Sequence, residues 1–184
     1  MNCRLEPLGT IGAEVSGISL HQLDSEQVEF IRQALLDHLV LFFRDQQLDA
    51  EQLRAVATNF GTPAPYPYVE GLPGLSEVIE VTKLPDETVN FGGVWHSDTA
   101  YLDEPAAGAL LYAIDVPEQG GDTFFTNMYQ VLEDLSEGLK DFLAPLSAIN
   151  DADKAAIAAT RPASQNRGLQ ALRSEEHTSE LQSP

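Results

Sequence analysis

The stretch TPAPYPYVEGLPG, residues 62–74, most constrains what this chain can fold into. It carries four prolines and two glycines. Each proline removes a backbone donor and fixes φ near about −65°. The stretch therefore cannot be a helix or a central strand, and its aromatic residues suit an ordered loop. It divides the chain into two parts of different character. In front, apolar residues recur with helical spacing. Behind, short apolar runs alternate with Gly/Pro turns.

In front of the loop, LEPLGTIGAEVSGISL (5–20) is short, alternating and glycine-punctuated, which predicts a hairpin. Asp24 with Gln27 predicts a capping box opening a helix whose apolar stripe is Val28, Ile31, Leu35 and Leu39. LVLFF (39–43) reads as a buried strand. Asp49 with Gln52 predicts a second boxed helix, with Leu53, Val56, Ala57 and Phe60 on one face and Gly61 ending it.

Behind the loop, SEVIEVT (76–82), GALLYAIDV (108–116) and TFFT (123–126) read as strands. Residues 83–93 and the PEQGGD turn (117–122) connect them. Met128, Val131, Leu132 and Leu135 form a helical stripe that Leu139, Phe142 and Leu143 extend. Residues 150–168 are polar and Ala-rich, consistent with a weak helix and a mobile loop that could serve as an active-site lid. Successive strands joined by turns, with helices on both sides, predict an α+β, mainly β architecture of sandwich or jelly-roll type.

Charge narrows the function classes. A net charge of −19 argues against nucleic acid and anionic membrane as partners. The longest apolar run, AAGALLYAI (106–114), is too short to span a bilayer. The N-terminus has no apolar signal region, and a single cysteine, Cys3, rules out an internal disulfide framework. Together these predict a cytoplasmic protein acting on a small molecule, with a homo-oligomer possible in a longer form.

The chemistry-bearing motif is VWHSDTAYL, residues 94–102, where His96 stands two residues before Asp98. On an extended segment, residues i and i+2 face the same side. An imidazole and a carboxylate side by side are two of the three ligands of a 2-His-1-carboxylate site for non-haem Fe(II). Such a site leaves neighbouring coordination positions free for a bidentate cosubstrate and for dioxygen. The spacing alone fits better a solvated hydrogen-bonded pair at a strand end, and the surrounding residues must decide.

The longer run VWHSDTAYLDEPAAGALLYAIDVPEQGGDTFFTNMY (94–129) resembles the central signature of the taurine dioxygenase family of Fe(II)/2-oxoglutarate-dependent oxygenases. PLG..IGAEVSGISL and LVLFFRDQ match the same family, so the likeness spans about residues 4–150. The resemblance implies a double-stranded β-helix with flanking helices, and His96 and Asp98 as iron ligands. It implies that Thr123, in GGDT, holds a carboxylate of 2-oxoglutarate, and that Trp95 packs in the core. Halogenating relatives lack a carboxylate at the position of Asp98, so hydroxylation is implied. In that reaction one oxygen of O2 enters the substrate C–H bond while 2-oxoglutarate is oxidised to succinate and CO2. A jelly-roll binding protein without redox chemistry, and a cupin-like enzyme using another divalent metal, are the alternatives. The latter usually draws on several clustered histidines, and none stands near His96.

The taurine-using branch places a His in the proline loop and an Asn shortly before the metal His. Here those places hold Tyr68 and Gly92, which argues against taurine and leaves Tyr68 and Asn90 as substrate-side candidates. The family's distal His and its 2-oxoglutarate-binding Arg fall beyond this chain. His21 and His38 read as surface residues, and Arg161 and Arg167 as solvated. The fold is therefore expected to be incomplete at the C-terminus. RSEEHTSELQSP (173–184) is polar and aperiodic and resembles a translated sequencing adapter. Residues 1–172 are accordingly read as a partial domain and 173–184 as a non-biological tail.

Overall fold

In the computed structural model, residues 3–67, 69–88 and 90–150 are described, together with the backbone of residues 179–180. They fall into two compact units, one of Met1–Thr62 with Leu110–Pro145, the other of Pro63–Ala109 with Leu146–Pro184.

The first unit is built around a β-α-β crossover. Strand β1 (Arg4–Pro7) pairs antiparallel with β2 (Ala13–Ser16), with Leu5 opposite Val15. The predicted hairpin is there, its turn closed by Leu8 N–H donating to the Gly12 carbonyl at 2.9 Å. A parallel pair needs a long connection, and helix α1 (Ser25–His38) supplies it, leading into β3 (Leu41–Phe43) parallel to β2. The result is a mixed three-stranded sheet in the order β1-β2-β3.

Both boxed helices form as their sequences predict. Gln27 N–H donates to Asp24 Oδ1 at 2.8 Å while Asp24 N–H donates to Gln27 Oε1 at 3.0 Å. Helix α2 (Ala50–Thr58) repeats the arrangement, Gln52 N–H reaching Asp49 Oδ1 at 2.7 Å and Asp49 N–H reaching Gln52 Oε1 at 2.9 Å. Each box satisfies two donors that a helix start would otherwise leave unpaired. Helices α3 (Met128–Glu133) and α4 (Glu137–Leu143) follow, capped by Asn127 and Ser136.

The core is small. Val15, Ile18 and Ile31 are buried together, with Leu5, Leu20, Phe30, Leu41, Phe43 and Phe60 packed against them. The α1 stripe is corrected by one step. Ile31 and Ala34 are buried, whereas Leu35 is exposed and Leu39 is the C-cap in a left-handed conformation, φ 67°. The strand consequently starts at Leu41 rather than at 39. Gln46 fastens the edge of this unit, accepting from Leu20 N–H at 2.9 Å and donating to the Arg44 carbonyl at 2.9 Å. Tyr112 ties the later segment to the same place, its hydroxyl donating to the Gln46 carbonyl at 3.2 Å.

The predicted strands behind the proline loop do not form. Residues 76–82, 108–116 and 123–126 lie outside every strand, and 108–126 make no backbone–backbone hydrogen bond among the described residues. The physical reason is pairing. An extended apolar segment becomes a strand only where another segment accepts its ladder, and none of the described residues does so here. The double-stranded β-helix is therefore not present in the described residues, which form a small mixed sheet with helices. The side chains meant for a core are left in solvent: Ile114 is 86% exposed and Phe124 75%. In the second unit, an isolated bridge joins Leu72 and Leu75, and strand β4 (Ile149–Asn150) pairs antiparallel with β5 (Ser179–Glu180). The expected helix, loop and lid at 150–168 lie outside the described residues apart from Asn150, as does the expected tail apart from β5. Among the described residues no helix is long and apolar enough to cross a membrane.

Two outcomes follow from this packing. Asp24→Ala should lower the unfolding free energy by about 1 kcal/mol in a urea titration. Asp134→Ala, whose carboxylate meets a Gln130 amide one turn away at 3.0 Å, should cost no more than about 0.5 kcal/mol. The chain should also enhance the fluorescence of an apolar dye, as exposed apolar patches do. Replacing Ile114 and Phe124 together by Ser should reduce that signal with helical circular dichroism unchanged. An undiminished signal would mean that the dye sits elsewhere.

Candidate metal centre

The candidate site is assembled within the second unit by two tight turns that flank a short stretch without regular structure. Gly93 N–H donates to the Asn90 carbonyl at 3.2 Å, and Gly92 has φ +65°, a left-handed conformation that glycine adopts without steric cost. Downstream, Leu102 N–H donates to the Thr99 carbonyl at 2.9 Å. Thr99 itself is left-handed, φ 51°. For a β-branched residue that is an outlier costing on the order of 1–3 kcal/mol. Its hydroxyl accepts from Ala106 N–H at 2.9 Å, a bond that holds the turn in this shape.

Between the turns, His96 Nε2 stands 3.1 Å from Asp98 Oδ1. His96 Nδ1 lies 2.7 Å from the Val94 carbonyl. A carbonyl oxygen only accepts, so Nδ1 is the donor of this contact, and Nε2 is left facing the Asp98 carboxylate, either as a second N–H donor or as a lone pair open to a metal. An N–H on Nε2 would donate to the carboxylate at this distance; without it, the ring lone pair and the carboxylate are two donors for one cation. Ligands at right angles on a metal with bonds of about 2.1 Å stand about 3 Å apart, and the observed separation fits that arrangement. The backbone carbonyl on the far ring nitrogen is the usual outer partner of a ligating histidine. Both side chains are accessible, 50% for His96 and 67% for Asp98. Among the described residues no group of three His, Cys, Asp or Glu side chains comes together. The pair can thus supply two donors to a metal.

The remaining candidates fall differently. Thr123 belongs to the first unit, where it is exposed behind Gly120 and Gly121. Both glycines are left-handed, φ +82° and +75°, so the predicted tight turn is present, although the strand expected after it is not. Asn90 is exposed and its side-chain oxygen accepts from Lys83 Nζ. Tyr68, Arg161 and Arg167 lie outside the described residues. His21 is exposed and within 3.0 Å of the Ser19 hydroxyl, and His38 is half-buried at the end of α1. Trp95 is a correction. It is 71% exposed rather than packed in a core, because its neighbours are turns over which no element of the described residues is laid. Sequence reasoning also missed the Val94 carbonyl and the two left-handed residues. The Gly-Gly pair just before the histidine was the one available signal.

Comparison with known proteins gives this geometry a family. The model of the taurine catabolism dioxygenase TauD, TfdA family matches residues 4–180, reaching into the segment read above as a tail. An alkylsulfatase of Acinetobacter baylyi is 41% identical over 145 residues, covering 77% of this chain and 44% of that protein. An alpha-ketoglutarate-dependent sulfate ester dioxygenase of Pseudomonas putida is 31% identical over 153 residues, covering 81% of this chain and 50% of that protein. The crystal structure of a taurine dioxygenase from Burkholderia xenovorans superposes with a TM-score of 0.71 at 33% identity, over 81% of this chain and 54% of that one. The chain spans about half the length of the relatives it matches. With a family match over nearly its whole length, this chain belongs to the taurine catabolism dioxygenase TauD, TfdA family.

Proposed function

We propose that this chain carries the first part of the active site of an Fe(II)- and 2-oxoglutarate-dependent dioxygenase that hydroxylates a small organic substrate. The observation that carries this reading is the 3.1 Å approach of His96 Nε2 to Asp98 Oδ1, in a chain whose family is that of dioxygenases. His96 and Asp98 would hold the metal. When bound, iron would provide the centre at which O2, 2-oxoglutarate and the substrate C–H give succinate, CO2 and the hydroxylated substrate. The residues of this chain then hold and orient. Val94 fixes the tautomer of His96, so that Nε2 is free to bind. Asp98 contributes the negative charge that offsets part of the cation's charge. Thr123 would donate its hydroxyl to a carboxylate of 2-oxoglutarate, and Tyr68 and Asn90 would line the substrate side. In the complete enzyme the strands missing from 76–126 would belong to a jelly roll.

Alkyl sulfate esters are the first substrate class to test, because two relatives bear that chemistry in their names. Residues 173–184 are proposed to be foreign to the protein, because nothing in their composition continues the preceding pattern.

The test is binding and turnover together. Mn(II), titrated into the chain and followed by electron paramagnetic resonance, should bind at a site from which His96→Ala or Asp98→Ala removes affinity by about tenfold or more. Unchanged affinity in both variants would remove the pair from any metal site and leave a binding module. We expect no succinate from the chain alone with Fe(II), 2-oxoglutarate and a panel of sulfate esters and sulfonates. Succinate release by the chain alone would overturn the view that it is an incomplete catalyst while leaving the dioxygenase reading in place.

A further inference from the structure

We propose that Lys83 and Asn90 form the subsite that holds the anionic end of a sulfate ester substrate, at the turn that leads into His96. A sequence of contacts places them there. Lys83 Nζ donates to Asn90 Oδ1. The Asn90 carbonyl accepts from Gly93 N–H at 3.2 Å, and one residue further on the Val94 carbonyl holds His96 Nδ1 at 2.7 Å. A Cβ built on Gly93 would stand 3.3 Å from Asn90 Cβ, so the Asn90 side chain starts directly against this turn. The proposal rests on the reading of sulfate esters as the substrate class and of His96 and Asp98 as the metal pair, and adds the group that recognises the substrate's charge.

The donor set fits that anion. An ammonium has only N–H bonds to give, so the Asn90 oxygen must be the atom that faces it. With its oxygen turned toward the ammonium, Asn90 offers its NH2 to the other side, and Lys83 keeps its remaining N–H bonds. The pair therefore presents donors, and the charged end of a sulfate ester presents oxygens, which only accept. Charge points the same way. Lys83 is exposed and is the one Lys or Arg among the described residues of the second unit. Glu80, Asp86 and Glu87 are near it in sequence, yet among the described residues no carboxylate stands within ion-pair distance of it. In a chain of net charge −19, an anion approaching this turn meets a cation that no described carboxylate neutralises. Salt screens an exposed charge beyond about 8–10 Å, so Lys83 acts on the group it touches and not on the metal.

The experiment titrates hexyl sulfate into the whole chain loaded with Mn(II), followed by calorimetry, with Mn(II) broadening of the hexyl sulfate protons as a second readout. Lys83→Gln should weaken hexyl sulfate binding about fivefold, the upper range for an exposed charge pair, and leave Mn(II) affinity within about twofold. Lys83→Arg keeps the charge and should bind as wild type does. Asn90→Asp gives Lys83 an ion-pair partner and should weaken hexyl sulfate at least as much as Lys83→Gln. Lys140→Gln removes an equal charge from the first unit and should change nothing. Hexanol, which has the tail without the charge, should show no dependence on residue 83. Wild-type hexyl sulfate binding in Lys83→Gln, equal loss in Lys140→Gln, or no hexyl sulfate binding to wild type would each overturn the proposal. A fall confined to 2-oxoglutarate would overturn it too, by moving Lys83 to the cosubstrate. Binding that depends on Lys83 without any broadening by Mn(II) would overturn the placement beside the metal pair.

Failure of the metal reading looks different. Mn(II) would then bind wild type and His96→Ala alike. In that case hexyl sulfate titrated into the metal-free chain decides. Loss of binding in Lys83→Gln keeps the anion subsite, and equal binding in wild type and Lys83→Gln removes it.

Discussion

A β-strand persists only if its backbone donors and acceptors find a ladder, and that requirement divides this molecule. Where partners lie nearby in sequence, strands form. β1 and β2 are joined by a short turn, and β3 reaches β2 through a single helix. Residues 108–126 have strand composition but no ladder among the described residues, and their apolar side chains remain exposed. The core follows the same division. Its buried members, Ala13, Val15, Ile18, Ile31, Ala34 and Val56, all come from the part of the chain in which the sheet closes.

The same requirement explains how much of the fold was legible in advance. Helix starts are local: a cap and the residue three positions on suffice, and Asp24–Gln27 and Asp49–Gln52 were read correctly down to the reciprocal bonds. The hairpin was legible because its turn lies within the pairing segment. The strands at 76–82, 108–116 and 123–126 were not, because hydrophobic composition reports that a segment wants to be buried without reporting which segment will pair with it. The end of α1 was misread for a related reason. Leu39 continues the apolar period, yet its left-handed backbone makes it a cap, and nothing in a leucine announces that.

In the candidate site, residue types were legible and their supports were not. The spacing of His96 and Asp98 pointed to one face, and the side chains do stand together. The reason differs from a regular strand. A brief irregular stretch runs into a turn held by Thr99, whose hydroxyl accepts from Ala106 N–H and offsets part of the cost of its own backbone. Trp95 looked like core from its type alone. Its exposure follows from turn geometry, which a residue's hydrophobicity does not encode. Gly92 looked like a missing substrate contact when measured against relatives.

The charge of the chain bears on why such a pair would hold a cation. With a net charge of −19, the surface field disfavours a free dicarboxylate and favours a divalent cation, and both effects weaken as salt rises. A cation held by His96 and Asp98 would reverse the sign locally and supply the positive charge that an anionic cosubstrate needs. The pair by itself does little in water, because two accessible donors at high dielectric gain only modest Coulomb energy. Geometry then matters more than field strength. A ring fixed at one nitrogen by a carbonyl loses less freedom on binding than a ring free to rotate. That preorganisation is what the Val94 carbonyl contributes through its 2.7 Å contact with Nδ1, on an exposed turn that no sheet of the described residues supports.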